Sequence, residues 1–260
     1  MNTRESLNPQ SDLRTDATHS ELESVISGLI EPRQDAPESY KPTLISNRPG
    51  DLTMHDGISD ALTNSDSFDI SVAFVSPDAI LSLFEDFRSH HANAPEQVSR
   101  LITSTKNHFN DPRAFWELLH LQRTAGVDVR VWAGSDSSVS VAQGQPFHPK
   151  GYVFSRRMRN GTPYYDLFVG SSNLTGAALN TQREWNLKVS SLANGELVAQ
   201  VRDEIDSQIA DSKPLTEEWI KQYEEDFKKY APPRRDILKS LEGREIQPNA
   251  MQKEALASLK

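Results

Sequence analysis

A mixed β-sheet sandwiched by helices, with a helical C-terminal extension, is the α/β fold this sequence predicts. Three observations carry that expectation. Short apolar or alternating runs recur along the first half of the chain, separated by longer segments of helical period. A second group of runs, FHPKGYVF, YYDLFVG and EWNLKV, follows, the first two separated by a polar insert and the last two by a glycine turn that opens into a helix-like segment. Beyond these, Gly195 to Ile209 and Thr216 to Tyr230 both carry apolar residues at helical spacing.

The elements are justified in chain order. Residues 1–20 are polar, acidic and without period, which predicts disorder. Ser20 opens a helical stripe at residues 22, 25, 26 and 29, with Glu23 completing a capping box. A proline-broken connector follows, then a short helix over Asp56–Leu62 and a buried strand over Phe68–Val75. Ser76 and Pro77 start the next helix, with Ile80, Leu81, Leu83, Phe84 and Phe87 as its inner face. Val98–Thr103 reads as a strand. Asp111 and Pro112 begin a helix that turns Phe115, Trp116, Leu118 and Leu119 inward, and Val127–Trp132 alternates as a strand does. A Gly/Ser/Gln loop then delivers Phe147 and the residues after it. In the last long helix the Trp219, Tyr223, Phe227 stripe is a packing face, ended by Pro232 and Pro233. The resulting division is a disordered 1–20, a domain over 21–210, a helical linker over 211–245, and a distinct start at 246–260.

Composition bounds the function. The 260 residues include no cysteine, which removes disulfides and thiolate metal sites and fits a reducing cytoplasm. No run approaches the length of a membrane span, and the first residues lack the apolar core of a signal peptide. Hydrophobic residues make up 36%, low enough to predict that part of the chain is extended or helical and solvated. The net charge of −9 speaks against a nucleic-acid surface until it is divided. Residues 41–195 hold 14 basic and 15 acidic residues, so the excess negative charge lies in the flanks. Around the motifs, Lys150, Arg156, Arg157, Arg159, Arg183 and Lys188 outnumber Asp166 and Glu184. Two readings of that bias stand: contact with phosphates, or decoration of a solvated hairpin loop. Histidines 19, 55, 90, 91, 108 and 120 lack metal-ligand spacing and read as surface or capping residues.

The stretch from Phe147 to Val189 carries the chemistry. His148 and Lys150 are two apart, so a strand there sends both side chains to one face and Pro149 to the other. The Tyr164–Val169 run stops at Gly170-Ser171-Ser172-Asn173, and a third run begins at Glu184, with Asn186 and Lys188 on the same face. These residue types suit attack on a phosphodiester. A histidine serves as nucleophile or general acid near neutral pH. A neighbouring ammonium group and the Ser171 and Asn173 donors stabilise the charge that gathers on phosphate oxygens in the transition state. Glu184 suits the orienting partner of an imidazole. Each also has a plain reading: HxK arises by chance, Ser171 to Asn173 suits a helix N-cap, and Glu184 suits a solvated strand. Their order and spacing together point to a site.

His148-x-Lys150, Gly170-Ser171-x-Asn173 and Glu184 resemble the HxK…GSxN…E signature of the phospholipase D superfamily. SSNLTGAAL followed by EWNLK is similar, more narrowly, to the nuclease-like domain at the front of bacterial DEAD/DEAH-type helicases and restriction-like proteins, over about Leu22 to Leu192. One departure is Ser155, which stands where the family has an aspartate. The resemblance implies a phospholipase D-like fold and a catalytic set of His148, Lys150, Ser171, Asn173 and Glu184. It implies DNA as substrate, no cofactor or metal, and a homodimer in which two copies share one active site, because in-line displacement uses two imidazoles. Residues 246–260, with Gln252, resemble the opening segment of a superfamily 2 helicase, so ATP would be bound only through a helicase region beyond them. Competing expectations are a catalytically silent DNA-binding and dimerisation module, and action on phospholipids.

Overall fold

The computed structural model describes residues 41–105, 108–132, 146–158 and 160–231. The expected disorder over 1–20, the helix over 22–29, Arg159 and the 246–260 segment lie outside the described residues. The elements, in order, are β1 (Thr43–Ile45), α1 (Met54–Thr63), β2 (Ser67–Val72), α2 (Pro77–Ser82), α3 (Phe84–Asn93), β3 (Arg100–Thr103), α4 (Pro112–Ala125) and β4 (Asp128–Trp132). They continue with β5 (Lys150–Arg157), β6 (Pro163–Gly170), α5 (Gly176–Asn180), β7 (Asn186–Leu192), α6 (Glu196–Ala210), β8 (Ser212–Pro214) and α7 (Glu217–Tyr230).

The strands form one eight-stranded sheet in the order β1-β7-β6-β5-β2-β3-β4-β8. β2, β3 and β4 run parallel, connected by helices as parallel strands must be. The remaining pairs are antiparallel, with β5 and β6 forming a hairpin. The sheet is therefore mixed: antiparallel on one side of the β2–β5 seam, and on the other parallel up to the antiparallel edge strand β8. Helices cover both faces. Phe68, Ile70, Tyr152, Phe154 and Phe168 pack under α1 to α5 and α7, while Ile102, Val153, Leu167 and Val189 pack under Val198 and Ile205 of α6.

Local chemistry explains the helix boundaries. Thr53 accepts from the Asp56 N–H and Asp56 reaches back to the Thr53 N–H, a complete capping box for α1. Asp111 accepts from the Arg113 N–H at 2.9 Å with Pro112 following, and Gly126, at φ 61°, closes α4 in the left-handed conformation. The single helix expected after Pro77 is two. The chain leaves helical geometry at Leu83 (φ −104°, ψ 4°) and restarts, which buries Ile80, Leu83 and Phe87 and leaves Leu81 54% exposed. Residue 81 falls off the stripe that residues 80, 83 and 87 define. Residues 212–230, within the stretch read as a linker, are tied into the fold. β8 pairs with β4, and Ile220 and Tyr223 are buried in the main core.

His90 departs from the surface role expected of it. It is buried, with Nδ1 3.2 Å from the Leu62 carbonyl and Nε2 3.0 Å from the Ser99 hydroxyl, and its ring packs on Phe68. Burial pushes its pKa below the usual 6.5, against smaller opposing effects of its hydrogen bond to Leu62 and of Asp66, while His91 adds to the lowering. The unfolded chain therefore takes up the proton first as pH falls, and stability drops from about pH 6.5 downward through the folded-state pKa. Urea unfolding at a series of pH values should show this loss, and His90→Gln should flatten it.

Candidate active site

Every predicted site residue lies at one end of the sheet, where β2, β3, β4 and β6 finish and β5 and β7 begin. The β5 ladder starts at Lys150, so His148 stands two residues ahead of the strand. The cause is Pro149, which has no N–H to give a ladder; its carbonyl instead accepts from the Ala73 N–H at 3.1 Å. His148 is exposed and Lys150 half-buried. The two still meet: the Lys150 ammonium lies 2.7 Å from Nδ1 of His148 and donates to the His148 carbonyl at 3.1 Å. The His148 and Phe74 rings meet edge to face, with centroids 5.6 Å apart at 81°.

The Gly170–Asn173 turn follows β6. Register places Gly151 opposite Val169, so Lys150 begins its strand beside Gly170, and Gly170 stands opposite Asn186 across β7. Gly170 is required by close approach: a Cβ there would lie 2.1 Å from the Trp185 carbonyl oxygen and 2.6 Å from the Asn186 Cα. Ser171 is fastened to the segment ahead of β7. Its N–H donates to the Trp185 carbonyl (3.0 Å), its hydroxyl accepts from the Trp185 N–H (3.0 Å), and the same hydroxyl donates to the Glu184 carboxylate. Ser172 is fully buried. Its N–H donates to Asn186 Oδ1, its hydroxyl accepts from Asn186 Nδ2 and donates to the Ala178 carbonyl, and its own carbonyl accepts from the Tyr152 phenol at 3.0 Å. Burial, and behind it the Glu184 carboxylate, push the Tyr152 pKa well up, so this phenol stays a neutral donor.

Asn173 joins the turn to the end of β2. Its Oδ1 accepts from the Phe74 N–H at 3.1 Å, and Leu174 exchanges backbone bonds with Phe74 and Ser76. Phe74 thus touches both halves of the motif, His148 through its ring and Asn173 through its N–H. Ser76 occupies the N-cap position of α2, as expected of the helix start, but its hydroxyl faces this turn and accepts from the Gly176 N–H at 3.2 Å. The structure brings His148 to Lys150, Ser171 to Glu184, and Asn173 to Phe74, all at one sheet end.

The basic residues divide. Arg156 lies toward the far end of β5, bonded to Asp60 at 3.1 Å, with Nε 3.1 Å from the buried Asp166 carboxylate but out of line for a hydrogen bond. Arg157 pairs with Asp66 at 3.2 Å. Both are thus held in ion pairs six and seven residues along β5 from Lys150, toward the end of the strand away from the site. Among the described residues, no group of three or more His, Asp or Glu side chains is placed to hold a metal ion, and no helix is long and apolar enough to cross a membrane.

A sheet flanked by helices, with an HxK pair and a GSxN turn converging at one end of its central strands, defines a phospholipase D-like domain. The sequence profile described as cardiolipin synthase, PLD-like domain, matches residues 58–209, more than half of the chain, and the protein belongs to this family. Among solved structures, NucT from Helicobacter pylori aligns at 12% identity over 67% of this chain and 98% of its own, with a TM-score of 0.49. Nuc, a phospholipase D family member from Salmonella typhimurium, aligns at 13% identity over 67% and 97%, with a TM-score of 0.44. Comparison with curated protein sequences gives no match.

Proposed function

We propose that this domain is a metal-independent phosphodiesterase, a nuclease acting on DNA through a covalent phosphohistidine. The observation that carries the reading is the contact between the His148 imidazole and the Lys150 ammonium, at the same sheet end as Ser171, Asn173 and Glu184. A ring nitrogen of His148 attacks phosphorus, and the bond to the leaving oxygen breaks as that oxygen takes a proton from the His148 of a second copy. Water then gives its proton to that second ring and displaces the first histidine, which restores both. Lys150, Ser171 and Asn173 bind the non-bridging oxygens, and Glu184 fixes the Ser171 hydroxyl and adds the negative charge that favours an imidazolium.

An uncovered apolar row supports the two-copy arrangement. Leu44, Leu187 and Val169 stand opposite one another across β1, β7 and β6, each about half exposed, with Trp185 74% exposed beside them. α6 covers the same face farther along, over Val153, Leu167 and Val189, and leaves the site end open. A patch of this kind marks an interaction surface. The likeness of residues 246–260 to a helicase opening supports a place for the domain at the front of an ATP-driven, restriction-type protein.

The test is incubation of the purified chain with plasmid and single-stranded DNA in EDTA, wild type beside His148→Ala. Cleavage that survives the chelator and disappears in the variant is expected; loss with EDTA, or persistence in His148→Ala, contradicts the proposal. Gly170→Ala gives a second check. The added methyl collides with backbone on β7, forces Ser171 away from Trp185 and Glu184, and is expected to lower cleavage about 100-fold, as displacements near 1 Å do. Initial rates on the same substrates measure it.

A further inference from the structure

We propose that Phe109 and Phe74 form a base-stacking step beside His148, and that the strand taken at this site is single-stranded. The proposal rests on the nuclease reading and names the form of its substrate. Three rings stand in file: Phe109 and Phe74 have centroids 4.8 Å apart, and Phe74 and His148 meet edge to face at 5.6 Å. Phe109, at the outer end, is 68% exposed.

The turn that presents Phe109 is built rather than loose. Asn110 is buried; its Nδ2 donates to the Ser104 carbonyl at 2.6 Å and the Ala73 carbonyl at 3.2 Å, and its Oδ1 accepts from the Val75 N–H at 2.9 Å. The Asn110 carbonyl accepts from the Tyr223 phenol at 2.8 Å. On the other side, His108 sits at φ 52°, bonds its N–H to the Thr105 carbonyl and stacks on Tyr223. Both neighbours of Phe109 are clamped to the core while its ring is held in solvent, an unfavourable place for a large apolar group unless something covers it.

The chemistry beside the ring says what the cover is. A phosphate held at Lys150 and His148 carries a nucleoside, and an exposed aromatic ring next to it offers a face to the base. Stacking of this kind is sequence-tolerant, because every base has a π-face. In a duplex both faces of each base are taken by its neighbours, so only an unpaired base can use Phe109.

The experiment uses the full chain carrying His148→Ala, in EDTA, so that bound strands stay intact. Fluorescence anisotropy would compare a labelled oligothymidylate, an abasic strand of equal length and a hairpin duplex. The oligothymidylate is expected to bind about 5- to 150-fold more tightly than the abasic strand. Adding Phe109→Ala should bring that ratio to about one, and Phe109→Trp should restore it; equal urea midpoints check that both variants fold. A ratio that survives Phe109→Ala, a duplex bound as tightly as the single strand, or no binding of any probe overturns the proposal. If the ratio is unchanged while His148→Ala still abolishes cleavage, stacking fails and the nuclease reading stands. Cleavage retained in His148→Ala sinks the nuclease mechanism itself.

Discussion

Exchange of His148 for alanine is expected to lower DNA cleavage by about 10⁴- to 10⁶-fold, the scale on which an enzyme loses its nucleophile. The same residue would supply both the attacking and the proton-donating ring, so the substitution removes both halves of the chemistry at once. Stability should barely change. His148 is exposed and lies ahead of β5, where it meets the Lys150 ammonium and the Phe74 ring. A surface residue of this kind is worth within about 0.5 kcal/mol. Plasmid-nicking rates in EDTA, read beside urea midpoints for the same preparations, separate the two quantities. A large fall in midpoint would recast His148 as structural.

Asp166→Ala should show the opposite pattern, a stability loss of about 3–5 kcal/mol, as when one partner leaves a buried ion pair. Asp166 is 1% exposed on β6 and accepts from the Ser190 hydroxyl. Arg156 and Lys188, whose side chains are 10% and 14% exposed, lie 3.1 and 3.9 Å from its carboxylate. Alanine removes the buried charge that Arg156 and Lys188 share, in a domain whose total stability is on the order of 5–15 kcal/mol. A fall in Tm of about 6–20 °C follows for a domain of this size. Asp166→Asn keeps an acceptor for Ser190 and should fall between wild type and alanine. Equal melting of all three would show that the cluster contributes little.

Much of this architecture is written in the sequence because period and punctuation agree. Val127–Trp132 alternates, and residues 128–132 of it are a strand; in the Trp219, Tyr223, Phe227 stripe the first two rings pack on Phe115 and the third on Tyr223. β1 and β8 are not legible. Three residues each, they hold no period, and they are strands only because β7 and β4 lend them hydrogen bonds. β8 ends on Pro214, which suits an edge position and hides the strand from inspection. His90 is not readable for a related reason, since its partners Leu62 and Ser99, 28 and 9 residues away, lie outside its helix. At the site, the motif residues stand out because their types and order are specific. Phe74 and Phe109 do not, although a lone large apolar residue inside the polar run His108-Phe109-Asn110-Asp111 is the signal that could have found the second.

The seam between β2 and β5 divides labour. His148, Lys150, Ser171 and Glu184 all belong to the antiparallel side, whereas Phe74 and Phe109 hang from the connections of the parallel side. On the proposed function, bond-breaking and choice of target would fall to separate modules of one sheet. The connection after β3 could then be lengthened, shortened or recoloured in a descendant without disturbing His148 and Lys150, which would give this scaffold a direct route to new prey.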